Sequence, residues 1–239
     1  MHVVELHVER FRNLAPGAFA FGERTNLILG GNGVGKTNLL EAVAMLGNLR
    51  SFRCAGPRHV VRHGAGSYRL AAAVRVGDRE HRLDQLVEVG PPLRRELTVD
   101  GAPVEVPHYL QVFPVFAING PDRELVTGAP EGRRAIVDRL AFLLRAAHLD
   151  DLRAYRRALR QRNAALAAKA PEAELAAWES PLAAAAARVV TARREAAQRL
   201  AASFERAYLA IAGPEAPELR LEYRSEPWQG PEGGPVEPA

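Results

Sequence analysis

The spacing of apolar and polar residues changes character near the middle of the chain. In residues 2–9, Val4, Leu6 and Val8 alternate with Glu5, His7 and Glu9, which predicts a half-exposed strand. Ala18 to Phe21 could pair with it. Asn26 to Leu29 reads as a third strand. Tyr68 to Arg75 and Glu80 to Val89 flank a Gly77-Asp78 turn. Leu97 to Val99 and Val104 to Val106 flank Asp100-Gly101, a strong hairpin signal. Leu110 to Ile118 reads as one more apolar strand. These are antiparallel meanders, without the regular βαβα rhythm of a simple doubly wound enzyme.

Beyond Gly120-Pro121-Asp122 the period becomes helical and alanine-rich. Pro130-Glu131 marks a helix start, with Ile136, Val137, Leu140, Leu143 and Leu144 as its stripe. A second helix carries Leu152, Tyr155, Leu159 and Leu166. A third starts after Pro171-Glu172, with a seam of Leu175, Trp178, Leu182, Ala185, Val189, Ala192, Ala196, Leu200, Phe204, Ala207 and Ile211. Pro181, with Ser180 as a cap, is expected to divide that seam. Trp178 and Tyr155 read as core residues. The pattern dissolves at Gly213, and the Gly/Pro-rich residues 226–239 are expected to be disordered.

Between the third strand and the first helix stands Gly30-Gly31-Asn32-Gly33-Val34-Gly35-Lys36-Thr37, which fits G-x-x-x-x-G-K-[ST]. A helical run, Asn38 to Leu49, follows, with Leu39, Leu40, Val43, Met45 and Leu46 as its apolar positions. Strand, glycine-rich turn and helix N-terminus make a phosphate cradle. Lys36 would reach the β/γ-phosphates and the Thr37 hydroxyl would hold Mg²⁺. Composition supports this. Only two of the 32 basic residues are lysines, Lys36 and Lys169. Lysine persists where a compact ammonium suits better than a planar fork.

The net charge of +4 weakly favours an anionic partner, and one cysteine, Cys54, excludes an internal disulfide. The seven histidines form no metal-binding cluster. No run approaches the ~20 apolar residues of a membrane span. Charged residues among the first twelve positions do not fit a signal peptide, so a cytoplasmic protein is expected.

Several segments together resemble one family. Phe11-Arg12-Asn13-Leu14, the phosphate loop continued by Asn38-Leu39-Leu40-Glu41-Ala42, and Arg50-Ser51-Phe52-Arg53 occur in order. They are followed by Val61-Arg62-His63-Gly64 and by Pro121 to Val126 with Gly128-Ala129-Pro130, Arg133-Arg134 and Asp138. Arg160-Gln161-Arg162-Asn163-Ala164 and Trp178 complete the set. The chain resembles the RecF family of bacterial recombination-repair ATPases, relatives of the SMC ATPases, over residues 3 to about 225.

That resemblance implies an α/β fold, an ABC-type P-loop ATPase head with a mixed or antiparallel β-rich lobe I and an α-helical lobe II arm. Lobe I would span 1–119 and the arm 120–212, with a return strand in 213–225. It further implies ATP and Mg²⁺ as cofactors, and single- and double-stranded DNA at gaps and junctions as partners. It also implies an ATP-dependent homodimer, RecR/RecO-type mediators, recombinase loading and a role in replication, recombinational repair and the SOS response, without a membrane. The family also uses a Walker B strand ending in two acids and a signature segment. Neither occurs in these residues, so ATP binding is expected more firmly than hydrolysis. The chain reads as truncated or fragmentary, with a phosphate-loop strand whose edges lack partners and with poor stability alone.

Arg153, Arg156, Arg157 and Arg160 share about a 100° arc of one helix. They fit a phosphate-contacting stripe for DNA, and equally a solvated face. Arg50, Arg53 and Arg62 form a second basic cluster, open to DNA, nucleotide or packing roles. Arg12 fits a place near the nucleotide or on the surface. Arg133 and Arg134 could pair locally with Asp138. A stand-alone kinase or GTPase would need a second acidic strand and, for guanine, an N-K-x-D element, and both are missing from the sequence. A nucleotide-binding or DNA-binding module without ATPase activity is the alternative, and the arm is too short for a long SMC heptad coil.

Overall fold

The computed structural model describes residues 1–54, 56–118, 124–213 and 215–225. The expected disordered tail 226–239 and the Gly120 to Arg123 part of the family segment lie outside them. The chain divides into two compact units, Met1–Asn119 and Gly120–Ala239.

The first unit is built on a six-stranded antiparallel sheet. Its strands are β1 (His2–Glu9), β2 (Gly17–Ala20), β3 (Ser67–Val76), β4 (Arg79–Glu88), β5 (Arg94–Val99) and β6 (Ala102–Pro103), in the order β2-β1-β3-β4-β5-β6. Alternation puts Leu6, Val8, Tyr68, Leu70, Val74, Leu83, Val87 and Leu97 on one buried face. Asp100 and Gly101 both take positive φ, which closes β5 onto β6 with the twist that favours a two-residue turn.

Against that face pack α1 (Lys36–Asn48) and α2 (Val106–Val112). Helix α1 buries Leu39, Glu41, Ala42, Met45 and Leu46, while Leu40 stays exposed. Gly47 lies so close to the Phe113 carbonyl and the Val115 side chain that a Cβ would collide with both. The stretch expected as a strand over Leu110 to Ile118 is instead helical up to Val112 and irregular beyond. Apolar residues at 106, 109, 110 and 113 follow a helical period, and Pro107 suits the first turn. Of Val104 to Val106, only the Val104 amide still reaches the sheet, donating to the Leu97 carbonyl at 3.0 Å, and Val106 already opens α2.

Asn26 to Leu29 also forms no ladder among the described residues, and Leu27 and Leu29 are each 79% exposed. Ile118, at 90%, is a second uncovered apolar position. A strand needs lateral partners for its N–H and C=O groups, and apolar content alone supplies none.

The second unit is helical: α3 (Glu124–Thr127), α4 (Pro130–Leu144), α5 (His148–Ala167) and α6 (Glu172–Ala212). Helix α6 forms a hairpin with α5 and also packs on α4. Ala141 of α4 meets Ala192 and Ala196, small residues that let helices approach closely. Pro181 does not divide α6, which runs through it for 41 residues. The proline sits on the exposed side, with half-buried Trp178 and Leu182 to either side of it. The seam is buried from Ala185 to Ala197, whereas Phe204 and Ile211 are exposed. Leu144 and Leu166 are exposed too, and Ala141, Phe142, Ala158 and Ala165 carry the buried faces instead. Residues 215–225 form no strand.

A buried clasp joins three helices of this unit. Arg193 of α6 donates to both Asp138 oxygens at 2.6 and 2.8 Å, and His148 Nε2 lies 3.1 Å from Asp138 Oδ1. The local pairing expected of Asp138 is thereby replaced. Arg134 pairs with Glu131, and Arg133 donates to the Leu125 and Gly128 carbonyls. Burial pushes the Asp138 carboxyl up, but the hydrogen bonds from Arg193 and His148 outweigh it and bring it down to about 2.

Because that value lies below the ordinary 3.8, the clasp contributes its full stability above pH 3.8. The contribution, about 2 kcal/mol, fades as pH falls through 2. Urea midpoints measured from pH 6 to pH 2 should show this loss in the native chain and a flatter profile in Asp138→Asn.

Candidate phosphate-binding site

The loop expected to cradle phosphate runs from Gly30 to Lys36 and opens helix α1. Gly30, Gly33 and Gly35 take φ of 152°, 82° and 105°, and the latter two lie where side-chain-bearing residues are strained. Gly35 is the N-cap of α1, so Lys36 and Thr37 occupy its first turn, where amides have no helical acceptor. Lys36 Nζ bends over the loop and donates to the Gly30 and Gly31 carbonyls at 2.8 and 2.6 Å. Thr37 is exposed beside it. First-turn amides, an ammonium and a hydroxyl on a glycine-formed loop are the donor set for a phosphate chain.

Two fixed points hold this loop. The Arg10–Leu14 turn comes first. Phe11 bridges to Val61, the Arg12 amide donates to the Val60 carbonyl at 2.7 Å, and the Arg62 amide donates to the Arg10 carbonyl at 2.8 Å. Both Arg10 and Arg12 have φ near +50°, a sparsely populated conformation for such residues. Asn13 Nδ2 donates to the Gly33 carbonyl at 2.9 Å, and Asn13 Oδ1 accepts from Asn38 Nδ2 at 2.6 Å. A Cβ on Gly35 would stand 2.9 Å from Leu14 and 3.1 Å from Asn13 Oδ1. The turn and the loop are therefore in direct contact.

Glu41 is the second fixed point. Its side chain is fully buried on α1, yet Arg12 donates to both of its oxygens at 3.0 and 2.8 Å. The Ser51 hydroxyl donates to Glu41 Oε1, and Arg53 reaches Oε2 at 3.5 Å while donating to Asn38 Oδ1 at 2.7 Å. Burial pushes the Glu41 carboxyl up, but the bonds from Arg12 and Ser51, with the charges of Arg12 and Arg53, hold it below the ordinary carboxylate range. The Arg12 guanidinium is stabilised in return, first by its hydrogen bond to Glu41. Arg12 Nη2 also donates to Cys54 Sγ at 3.4 Å.

The basic residues singled out in the sequence thus have different surroundings. Arg62 donates to the Leu14 carbonyl and, at 3.4 Å, to that of Arg12, so it braces the turn. Arg53 is shared between Asn38 and Glu41. In the helical unit, Arg153, Arg156, Arg157 and Arg160 are all exposed on α5, and Arg153 pairs with Asp150 at 2.9 Å. Asn13, Asn38, Glu41 and Ser51 escaped the sequence reading as site residues. Glu41 carried a usable signal, a carboxylate four positions before Met45 on an apolar helix face.

No family model matches the chain. The DNA replication and repair protein RecF of Anaeromyxobacter sp. (strain Fw109-5) is 41% identical over 225 residues, covering 94% of this chain and 60% of that protein. The RecF of Synechococcus sp. (strain JA-3-3Ab) is 35% identical over 98% of this chain and 63% of its own length. A solved structure of the recombination mediator RecF with ATP, from the RecFOR pathway, superposes with a TM-score of 0.78 at 27% identity over 88% of this chain and 58% of that one. Over nearly all of its length the chain is similar to proteins of the RecF family. Its fold is the α/β ATPase head of that family, with an antiparallel sheet and a helical part. An Smc head from Pyrococcus furiosus, at 14% identity and a TM-score of 0.50, shares the fold alone. The chain spans about 60% of the length of its RecF relatives.

Breaking the buried ion pair from one side should be costly, since it strands a charge. Glu41→Gln should lower stability at pH 7 by about 3 kcal/mol. The double change Arg12→Leu with Glu41→Leu should cost clearly less than the two single changes summed. Denaturant titrations of wild type, Glu41→Gln, the two single leucine variants and the double variant measure both effects.

Proposed function

We propose that this chain binds ATP through Gly30, Gly31, Asn32, Gly33, Val34, Gly35, Lys36 and Thr37, as the nucleotide-binding part of a RecF-type protein of DNA replication and repair. The carrying observation is the glycine-formed loop at the start of α1, with the Lys36 ammonium over its mouth. The loop amides and Lys36 would hold the phosphates. The Thr37 hydroxyl would hold Mg²⁺, whose chemistry is to neutralise phosphate charge. ATP found with a related RecF supports the choice of nucleotide.

DNA is the second proposed partner. Arg156, Arg157 and Arg160 lie on the exposed side of α5 with no ion-pair partner among the described residues, and Arg153 adjoins them with a solvent-screened pair. Arg53 and Arg62 are committed to Asn38, Glu41 and backbone carbonyls, so the α5 arginines are the better phosphate contacts. Loading of recombinase, pairing of two heads on ATP and engagement of RecR/RecO-type mediators follow from the family as further parts of this reading, in a cytoplasmic setting.

A second reading, binding without hydrolysis, is favoured by the state of Glu41. This carboxylate, close to the loop in sequence, is enclosed by Arg12, Ser51 and Arg53 and is held in its charged form. Both of its oxygens already accept from these side chains.

Fluorescent ATP titrated with Mg²⁺ into the purified chain tests the first claim. Lys36→Ala should weaken binding about 30-fold, the worth of roughly 2 kcal/mol in charge-assisted hydrogen bonds. Unchanged binding in a folded variant would remove the phosphate-loop reading. For DNA, replacing Arg156, Arg157 and Arg160 together by alanine should make the plot of log affinity against log salt shallower by about 3. An unchanged slope would return these residues to a solvated face.

A further inference from the structure

We propose that Asn13 is a positioning residue for the phosphate loop, set in place by the strained Arg10–Leu14 turn. This rests on the reading of Gly30–Thr37 as a nucleotide site. Asn13 lies on neither the loop nor α1, yet it joins them. Its amide donates to the Gly33 carbonyl, and its oxygen accepts from Asn38 one position beyond Thr37.

The Gly33 bond restrains the peptide that carries the Val34 amide, because carbonyl and following N–H share one plane. With the Gly33 oxygen turned toward Asn13, the Val34 N–H points the opposite way. Gly33 and Gly35 both sit at positive φ, and such residues have a wide choice of conformations. A loop this permissive loses much entropy when it closes on an anion. A fixed external clasp removes part of that loss beforehand.

The asparagine itself is well supported. Asn38 is held by Arg53, which is held in turn by Glu41, so the acceptor side of Asn13 connects to the buried carboxylate. The backbone side is fixed by Arg62, which donates to the carbonyls on either side of Asn13, at Arg12 and Leu14. Left-handed residues at Arg10 and Arg12 are each a local cost. Such conformations persist where surrounding contacts over-determine them. Here those contacts turn the Asn13 side chain onto the loop. Gly35 is required for the same reason, since a Cβ there would press on Asn13 Oδ1 and Leu14.

The test compares wild type, Asn13→Ala, Asn38→Ala and the double variant, with Lys36→Ala as control. Each is titrated with Mg-ATP and, separately, with tripolyphosphate, which has no base or sugar. Asn13→Ala should weaken both ligands by a similar factor, about tenfold. Asn38→Ala should weaken them less, and the double variant should fall short of the product of the two. The melting midpoint without ligand should stay close to wild type, which a merely structural role would not permit. If wild type binds ATP and Asn13→Ala binds it equally well, the positioning role is overturned. A loss confined to ATP, sparing tripolyphosphate, also overturns it, because the effect would then lie at the nucleoside. If wild type binds neither ligand, the underlying nucleotide reading fails instead.

Discussion

A carboxylate inside a protein must gather donors or lose its charge, and Glu41 gathers them from everywhere near it. Removing such a group from water costs several kcal/mol before any partner is counted. Arg12 supplies a bidentate fork, Ser51 a hydroxyl and Arg53 a further charge. The three partners come from the turn before the phosphate loop and from the segment after α1. One buried charge therefore fixes three stretches of chain around the start of a helix. The loop inherits its shape from that arrangement, because Asn13 follows Arg12 and Asn38 precedes Glu41 by less than one turn.

The helical unit uses the same physics for a different end. Asp138 collects Arg193 and His148, from the last and the middle of three long helices. Its effect is to set how α4, α5 and α6 pack. In both units the cation that matters most is an arginine. Its planar fork matches a carboxylate in two bonds, which suits a chain that carries only two lysines. The exception is Lys36, where the ligand set is made of carbonyl oxygens and a point charge can serve several at once.

The sheet and the loop stand in a definite relation. Strands β1 to β6 complete an antiparallel meander with paired ladders, and α1 lies on its apolar face. The two extended apolar stretches next to α1, residues 26–29 and 114–118, have no ladder among the described residues and leave Leu27, Leu29, Phe116 and Ile118 exposed. The chain spans about 60% of its relatives' length.

The order of residues alone determined the parts whose rules are local. Alternation over 2–9, the turn pairs Gly77-Asp78 and Asp100-Gly101, and the spacing Gly30 to Thr37 each follow from the conformations that nearby side chains permit. Period-based reading failed where a neighbour decides. Leu110 to Val112 became helical because Tyr109 and Phe113 could be buried on one face. Asn26 to Leu29 stayed unpaired because a strand is defined by partners. Pro181 stands inside α6 at an exposed position, where its period-based signal of a break was not followed. The same division holds for the site. Lysine and glycines at fixed spacing are visible in a line of text, whereas the service that Arg12, Asn13, Glu41, Ser51 and Arg62 give the loop depends on residues 10 to 50 positions apart meeting in space. Hydrogen bonds of 2.6 to 3.0 Å between such residues exist only once the chain has closed on itself.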